Sequence, residues 1–251
     1  GLVVAIDEDE QERLGAILSY TMPSYRKHCV SLIHNKKGIQ GTDFSYCHEF
    51  AYFMLSESHK GTHDKVIAES EWEWANLRKW GSESTRDTAA NCFYPIVIKN
   101  NQIVSFGAVC DERFHPTASN IKNDDGTITI YPIDPTGVER KWRYEVKTVA
   151  KIKDVLKVIV TRDGEYQIHK AKNKQQFKTI WSDNKYIAGD YGTKTVTDLG
   201  LNTGGNLFPK SIFTVLDSVY AVVGSGNGLI VDYYGGSGTT AHAVINLNRQ
   251  D

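Results

Sequence analysis

Leu229-Ile230-Val231-Asp232-Tyr233-Tyr234 runs directly into Gly235-Gly236-Ser237-Gly238-Thr239-Thr240, and Ala241-His242-Ala243-Val244-Ile245-Asn246-Leu247-Asn248 follows. The first six residues read as a buried strand, the glycines as a tight turn, and the remainder as a helix beginning near Thr239. A strand, a tight turn and a helix N-terminus together make an anion site, because unpaired backbone N–H groups and the helix dipole point at one place. Gly236 and Gly238 let a ligand approach the backbone closely, and the hydroxyls of Thr239 and Thr240 add donors. No Lys follows the last glycine, so the turn is not a Walker A loop, and its spacing does not fit G-x-G-x-x-G. What remains is a ligand carrying a carboxylate and an adenosine, or a turn that is only structural.

Outward from this stretch the pattern is that of an α/β protein. Phe208-Pro209-Lys210-Ser211 leads into Ile212, Val215, Val219 and Val222, which share one helix face. At the other end, Leu2 to Ile6 read as a buried strand, and the acidic run Asp7 to Glu12 opens a helix where negative charge suits the dipole. Leu14, Ile17 and Leu18 give that helix its apolar face, and Pro23 stops it. Two further strands are expected at Cys29 to Ile33 and Phe50 to Leu55, with a long polar loop between them. Such loops between buried strands usually serve binding. The composition turns polar near Ser56. Trp72, Trp74, Leu77 and Trp80 suggest a short aromatic helix, and strands follow at Tyr94 to Ile98, Ile103 to Val109 and Thr127 to Tyr131. Asn100-Asn101, Asp124-Asp125-Gly126 and Asp163-Gly164 read as hairpin turns.

A chain of 251 residues with 40% hydrophobic and 24% charged residues is an ordinary globular protein, not a disordered, fibrous or coiled-coil one. No apolar run approaches the ~20 residues of a membrane helix, and the start lacks the basic and apolar regions of a signal peptide. Cys29, Cys47, Cys92 and Cys110 form no Cys-x-x-Cys pair, so neither a zinc site nor a disulfide framework is expected and a cytoplasmic location fits. The net charge of -1 conceals an asymmetry: Arg140 to Lys178 hold twelve Lys or Arg against four Asp or Glu. A basic segment of +8 on an acidic remainder of -9 is the footprint of a polyanion partner or of a solvated face.

The segment from Asp232 to Asn248 closely resembles the cofactor motif of adenine-specific DNA methyltransferases, Asp-Phe-Phe-Ala-Gly-Ser-Gly-Thr-Thr-Ala-His-Ala-Val. Tyr233 and Tyr234 stand for the phenylalanines, and Gly235-Gly236 for alanine and glycine. The resemblance extends to Val4-Ala5-Ile6-Asp7-Glu8, to His34 through Gly41 with Phe44 through Glu49, and to Asn76 through Ser82. Phe93 to Ile96, Trp142 to Tyr144 and Tyr191 to Lys194 add further matches. These segments are similar to the modification subunits of type III restriction–modification systems, in the class where the catalytic motif comes first and the cofactor motif last.

The resemblance implies a Rossmann-like, S-adenosylmethionine-dependent methyltransferase fold in circularly permuted motif order, carrying an inserted mixed α/β target-recognition domain. Residues 1–59 would be part of the catalytic domain, 60–200 the DNA-binding recognition domain and 201–251 the cofactor-binding part. It implies methyl transfer from S-adenosylmethionine to N6 of adenine in double-stranded DNA; the alternative is a non-catalytic recognition module with a vestigial loop. The implied cofactor residues are Asp232, Tyr234, Gly235, Ser237, Gly238, Thr239 and Thr240, with Lys210 and Ser211 beside the methionine moiety. Asp232 either orders the loop or faces the methionine ammonium, and Lys210-Ser211 are otherwise a surface Lys and an N-cap. Asn35, Gly38, Gln40 and Tyr46 lie in the loop implied to border the target base, where Phe44 and Tyr46 either stack on it or anchor the loop in the core. Arg78, Arg86, Arg140, Lys141 and Arg143 are the candidate DNA contacts, or else solvated surface. The family's Asp-Pro-Pro-Tyr motif occurs nowhere in the chain, so no catalytic residue is assigned. The expectation is a fragment cut inside its catalytic domain at both ends and inactive alone. A homodimer and a restriction subunit are the further implied partners, and no metal is expected.

Overall fold

The computed structural model describes residues 1–201 and 208–249. The opening residues of the expected cofactor-binding part, 202–207, lie outside the described residues, as do the last two. The chain forms two compact units, one from Gly1–Lys65 with Lys174–Asp251 and one from Val66–Asn173.

The first unit is built around a sheet in which β1 (Leu2–Ile6) and β2 (Arg26–Ile33) flank β3 (His48–Leu55), both antiparallel to it. The short strand Ile180–Trp181 joins β2 in parallel. The central strand is buried from Ala51 through Leu55 because both of its faces are covered. Alternation sorts the side chains: Tyr52 and Met54 pack on Leu18 of helix α1 (Gln11–Thr21), whereas Ala51 and Phe53 meet Trp181, Tyr186 and Ala221. Helix Ile212–Val223 covers that second face through Ala221. Of the expected apolar stripe on α1, Leu18 is buried and Leu14 packs beside it, but Ile17 points outward. Gly15 takes a place in the buried face instead, because a Cβ there would lie 2.4 Å from the Tyr52 hydroxyl. That hydroxyl donates to the Gln11 carbonyl at 3.0 Å and accepts from its side-chain amide at 2.6 Å.

One expected strand is not formed. Leu229 to Tyr234 is irregular and exposed, with Leu229 at 91% and Val231 at 77%. A strand needs a partner for its N–H and C=O groups, and none of the described strands pairs with this segment. Among the described residues β1 likewise pairs on one edge only, with β3.

The second unit holds two small antiparallel sheets. Ile96–Lys99 pairs with Gln102–Phe106 and with Ile128–Ile130, which pairs in turn with Asn120–Lys122. Leu156–Val160, Tyr166–Lys172 and Glu73–Asn76 make the other sheet. The three expected turns are present, and at Asn100-Asn101 both residues have positive φ, as a two-residue hairpin of this hand requires. The expected aromatic helix from Trp72 is instead a strand: Trp74 pairs with Ala171, and Lys157 lies over its ring at 3.9 Å. Aromatic side chains suit a pleated surface, and cross-strand contacts overrode the helical spacing. Leu77, Tyr94, Ile96, Ile98, Trp142, Val149 and Ile168 form the core of this unit.

Candidate functional site

In the first unit, the segment from Leu229 and the helix Thr239–Asn248 border a cavity of about 560 Å³. The glycine turn is held locally. Asp232 Oδ1 accepts the Tyr234 N–H at 3.1 Å, the Gly238 N–H donates to the Gly235 carbonyl at 2.8 Å, and Ser237 and Thr239 hydroxyls lie 2.8 Å apart. Gly238 precedes the helix with φ of 74°, a left-handed conformation that glycine adopts without strain. No side chain caps that helix, so its first N–H groups are left as donors.

Asp232, Tyr234, Gly235, Ser237, Thr239, Thr240 and Lys210 all line the cavity; Gly238 and Ser211 do not. Ser211 is buried and caps helix Ile212–Val223, accepting from the Phe213 N–H at 3.2 Å while donating to the Lys185 carbonyl. Lys210 reaches Glu49 on β3, which fixes its amine at the cavity wall. Of the four residues expected to share one face of that helix, Val215, Val219 and Val222 line this cavity and Ile212 is buried. The buried side of that helix carries the polar Thr214, Asp217 and Ser218 beside Ile212 and Ala221. Asp217 explains the burial: its carboxylate accepts from the Tyr186 hydroxyl at 2.6 Å and pairs with Lys185. Sequence periodicity did not reveal this polar anchor, since Lys185 and Tyr186 lie some thirty residues away.

The polar loop between β2 and β3 is closed on itself by one isolated bridge. Ile39 and Tyr46 bond each other at both N–H groups, Gly38 turns with φ of 74°, and Asn35 accepts the Lys37 N–H. Gln40, Phe44 and Tyr46 are exposed, so the loop is not anchored in the core by its aromatic residues. The local bridge between residues 39 and 46 closes it without such an anchor.

In the second unit the five expected basic residues come together, since bridges Arg78–Trp142 and Thr85–Arg140 lay residues 78–86 against 139–143. Their exposures differ sharply. Arg86 is 8% exposed and fully engaged, donating to the Phe114 and Asp111 carbonyls and to Glu139 at 2.9 Å, over the Phe93 ring. Arg140 donates to Asp134 and to Ser84, both at 2.8 Å. Arg78 is 7% exposed, Lys141 is half-buried and only Arg143 is open to solvent. Burial works against the charge on Asp134, but hydrogen bonds from Thr136, Arg140 and Val138 outweigh it and hold the carboxyl well below the usual range. Among the described residues no helix is long and apolar enough to cross a membrane, and no group of three His, Cys, Asp or Glu is placed to hold a metal.

No protein-family model matches the chain. It is 26% identical over 200 residues to the type II methyltransferase M.KpnI of Klebsiella pneumoniae, a match that takes in 76% of this chain and 42% of that protein. It is 24% identical, over an alignment of 276 residues, to the type III restriction-modification enzyme EcoPI Mod subunit of Escherichia phage P1, taking in 100% of this chain and 40% of that protein. The chain is thus similar to the methyltransferases of restriction–modification systems, and it spans about two fifths of the length of these relatives.

Proposed function

We propose that this chain is a cofactor- and DNA-binding portion of a restriction–modification DNA methyltransferase, of the adenine-N6, type III modification kind. The observation that carries this reading is the cavity of the first unit. Seven of the nine residues implied by the methyltransferase resemblance line it. The groups present suit S-adenosylmethionine. The uncapped N–H groups of the first helical turn from Thr239 and the Ser237, Thr239 and Thr240 hydroxyls are donors for a carboxylate. Asp232 is an acceptor for the ammonium, and Val215, Val219 and Val222 offer an apolar wall to the adenine. When bound, the cofactor supplies an electrophilic methyl group.

Residues 66–173 then form the target-recognition unit, inserted between the two parts of a permuted methyltransferase domain. Arg143 and Lys141 are placed to meet phosphates, with the exposed lysines of the basic segment extending the footprint. Arg86 and Arg140 act from within, by holding the fold that presents the others. The loop carrying Asn35, Gly38, Gln40 and Tyr46 is proposed to border the target base, with exposed Tyr46 free to stack. No residue of the chain is assigned the transfer step. A second copy and a restriction subunit are the further partners in this reading, in a cytoplasmic setting.

Irradiation of the chain with radiolabelled S-adenosylmethionine, followed by peptide mapping, tests it. Label is expected on the peptide containing Tyr233 and Tyr234. Label confined to residues 66–173 would refute the assignment.

A further inference from the structure

The three-stranded sheet of the second unit has one apolar face and one polar face. Ile168 is fully buried in the core, with Val158 directly opposite it, and alternation turns Gln167 and His169 to the other side. On that side the register sets Lys157 opposite His169 on one neighbouring strand. On the other neighbour it sets Asn76 opposite His169, with Trp74 two residues before. All five side chains are half-buried. Hydrogen bonds fix how three of them point. Asn76 Oδ1 accepts the Arg78 N–H at 2.8 Å, which leaves its Nδ2 to donate to Gln167 Oε1 at 2.9 Å. His169 Nε2 lies 3.2 Å from the same Oε1 and therefore carries a proton. Burial, and then the charge of Lys157, lower the His169 pKa and favour its neutral ring.

With Oε1 engaged twice, Gln167 has only its Nε2 to offer. That group has no partner among the described residues and stays open to solvent. The sheet thus presents a donor held in a fixed direction, and it does so beside cations. Lys157 lies over the Trp74 ring at 3.9 Å, and the exposed Arg143 donates through Nε to the Asn76 carbonyl at 3.1 Å. Both belong to the basic segment 140–178. Asp163 and Glu165 occupy the hairpin turn, so contact with an anion falls to Lys157 and Arg143. A polar face flanked by cations complements a polyanion with readable edges. The major groove of duplex DNA, ~12 Å wide, admits a two-stranded β-ribbon.

We propose that this sheet face enters the major groove of the target duplex and that Gln167 is a specificity-determining residue, its Nε2 donating to a base. Asn76 and His169 position Gln167, and Lys157 and Arg143 hold phosphates. The proposal rests on the reading of residues 66–173 as a DNA-recognition unit. In the major groove adenine, guanine and thymine each offer an acceptor, whereas cytosine offers only its N4 donor. A fixed donor therefore rejects cytosine at the base it meets.

Selection of the chain's preferred sites from a library of random duplexes tests this. The wild type is expected to exclude, by at least ~fivefold, one orientation of the C·G pair at one position of its site. Gln167→Ala is expected to accept all four pairs there. Gln167→Glu, whose carboxylate accepts from cytosine N4, is expected to select the pair that the wild type excludes. Preferences elsewhere in the site and thermal unfolding are expected to stay as they are in both variants. Lys157→Gln is expected to lower the salt slope of binding by about one and to leave the base preferences unchanged. An unchanged salt slope would place this face outside the groove. A preference that both Gln167 variants retain, or loss of all duplex binding in Gln167→Ala, would overturn the role of Gln167. Duplex binding without any base preference would overturn it too and keep the DNA reading, whereas no duplex binding at low salt would remove that reading and the proposal with it.

Discussion

Asp134 organises one corner of the second unit by accepting from Thr136, Val138 and Arg140 at once. Removing its charge leaves the Arg140 guanidinium short of its partner in a largely buried place. Asp134→Asn is therefore expected to destabilise this unit by about 3 kcal/mol at neutral pH, measured by urea unfolding. The sign of the pH dependence follows from a folded pKa that lies below the unfolded one. The contribution is fully present above the unfolded value of ~3.9 and is lost as pH falls through the lower folded value. Wild type should thus lose stability below about pH 4 more steeply than the Asn variant. Gly15 offers a second single-residue prediction. Alanine has the better helix propensity, but its Cβ would meet the Tyr52 hydroxyl. Gly15→Ala is expected to cost about 1–3 kcal/mol in thermal unfolding instead of stabilising α1.

Among the elements, what could be read from the chain depended on whether the deciding contact was local. The hairpin at Asn100-Asn101 was legible because positive φ at two consecutive residues is a local demand that Asn meets. The Ser211 cap and the helix after it were legible for the same reason. The strand at Trp74 was not, because its pairing with Ala171 lies almost a hundred residues away and competes with a helical spacing of tryptophans. Leu229 to Tyr234 is the converse case: its apolar composition is that of a strand, yet among the described residues no strand pairs with it. The central strand β3, covered on both faces, is the counter-example within the same unit. Hydrogen exchange should therefore find the amides of 229–234 weakly protected and those of 51–55 strongly protected. In the proposed reading, saturating S-adenosylhomocysteine is expected to slow exchange at 235–240, where the cofactor carboxylate meets the backbone. Unchanged exchange there would count against that placement.

Taken as a whole molecule, the chain divides its chemistry between two units. The first brings residues from both chain ends together, so that β1 and the glycine turn line one cavity although more than two hundred positions separate them. The turn and the helix start after it were legible from the glycine spacing, and both are present, with the helix beginning at Thr239. The apolar lining was not, because a shared helix face for Val215, Val219 and Val222 does not say what that face meets. The basic character of 140–178 was legible in composition, but the meeting of Arg78 and Arg86 with residues 140–143, and the division of these side chains into buried and exposed, were not. Arg78 and Arg86 turn inward because the Ile133 and Phe114 carbonyls, distant in sequence, receive them, while the sequence-near rings of Trp80 and Phe93 lie against them.

Calorimetric titration of the chain and of its Gly238→Asp variant tests whether the first unit's cavity holds S-adenosylmethionine. The substitution puts a side chain on a left-handed backbone and a negative charge at the helix start where the cofactor carboxylate would sit. Saturable binding to the wild type, weakened at least ~tenfold in the variant, is the predicted result. No binding to the wild type, or equal affinity in both, would contradict it.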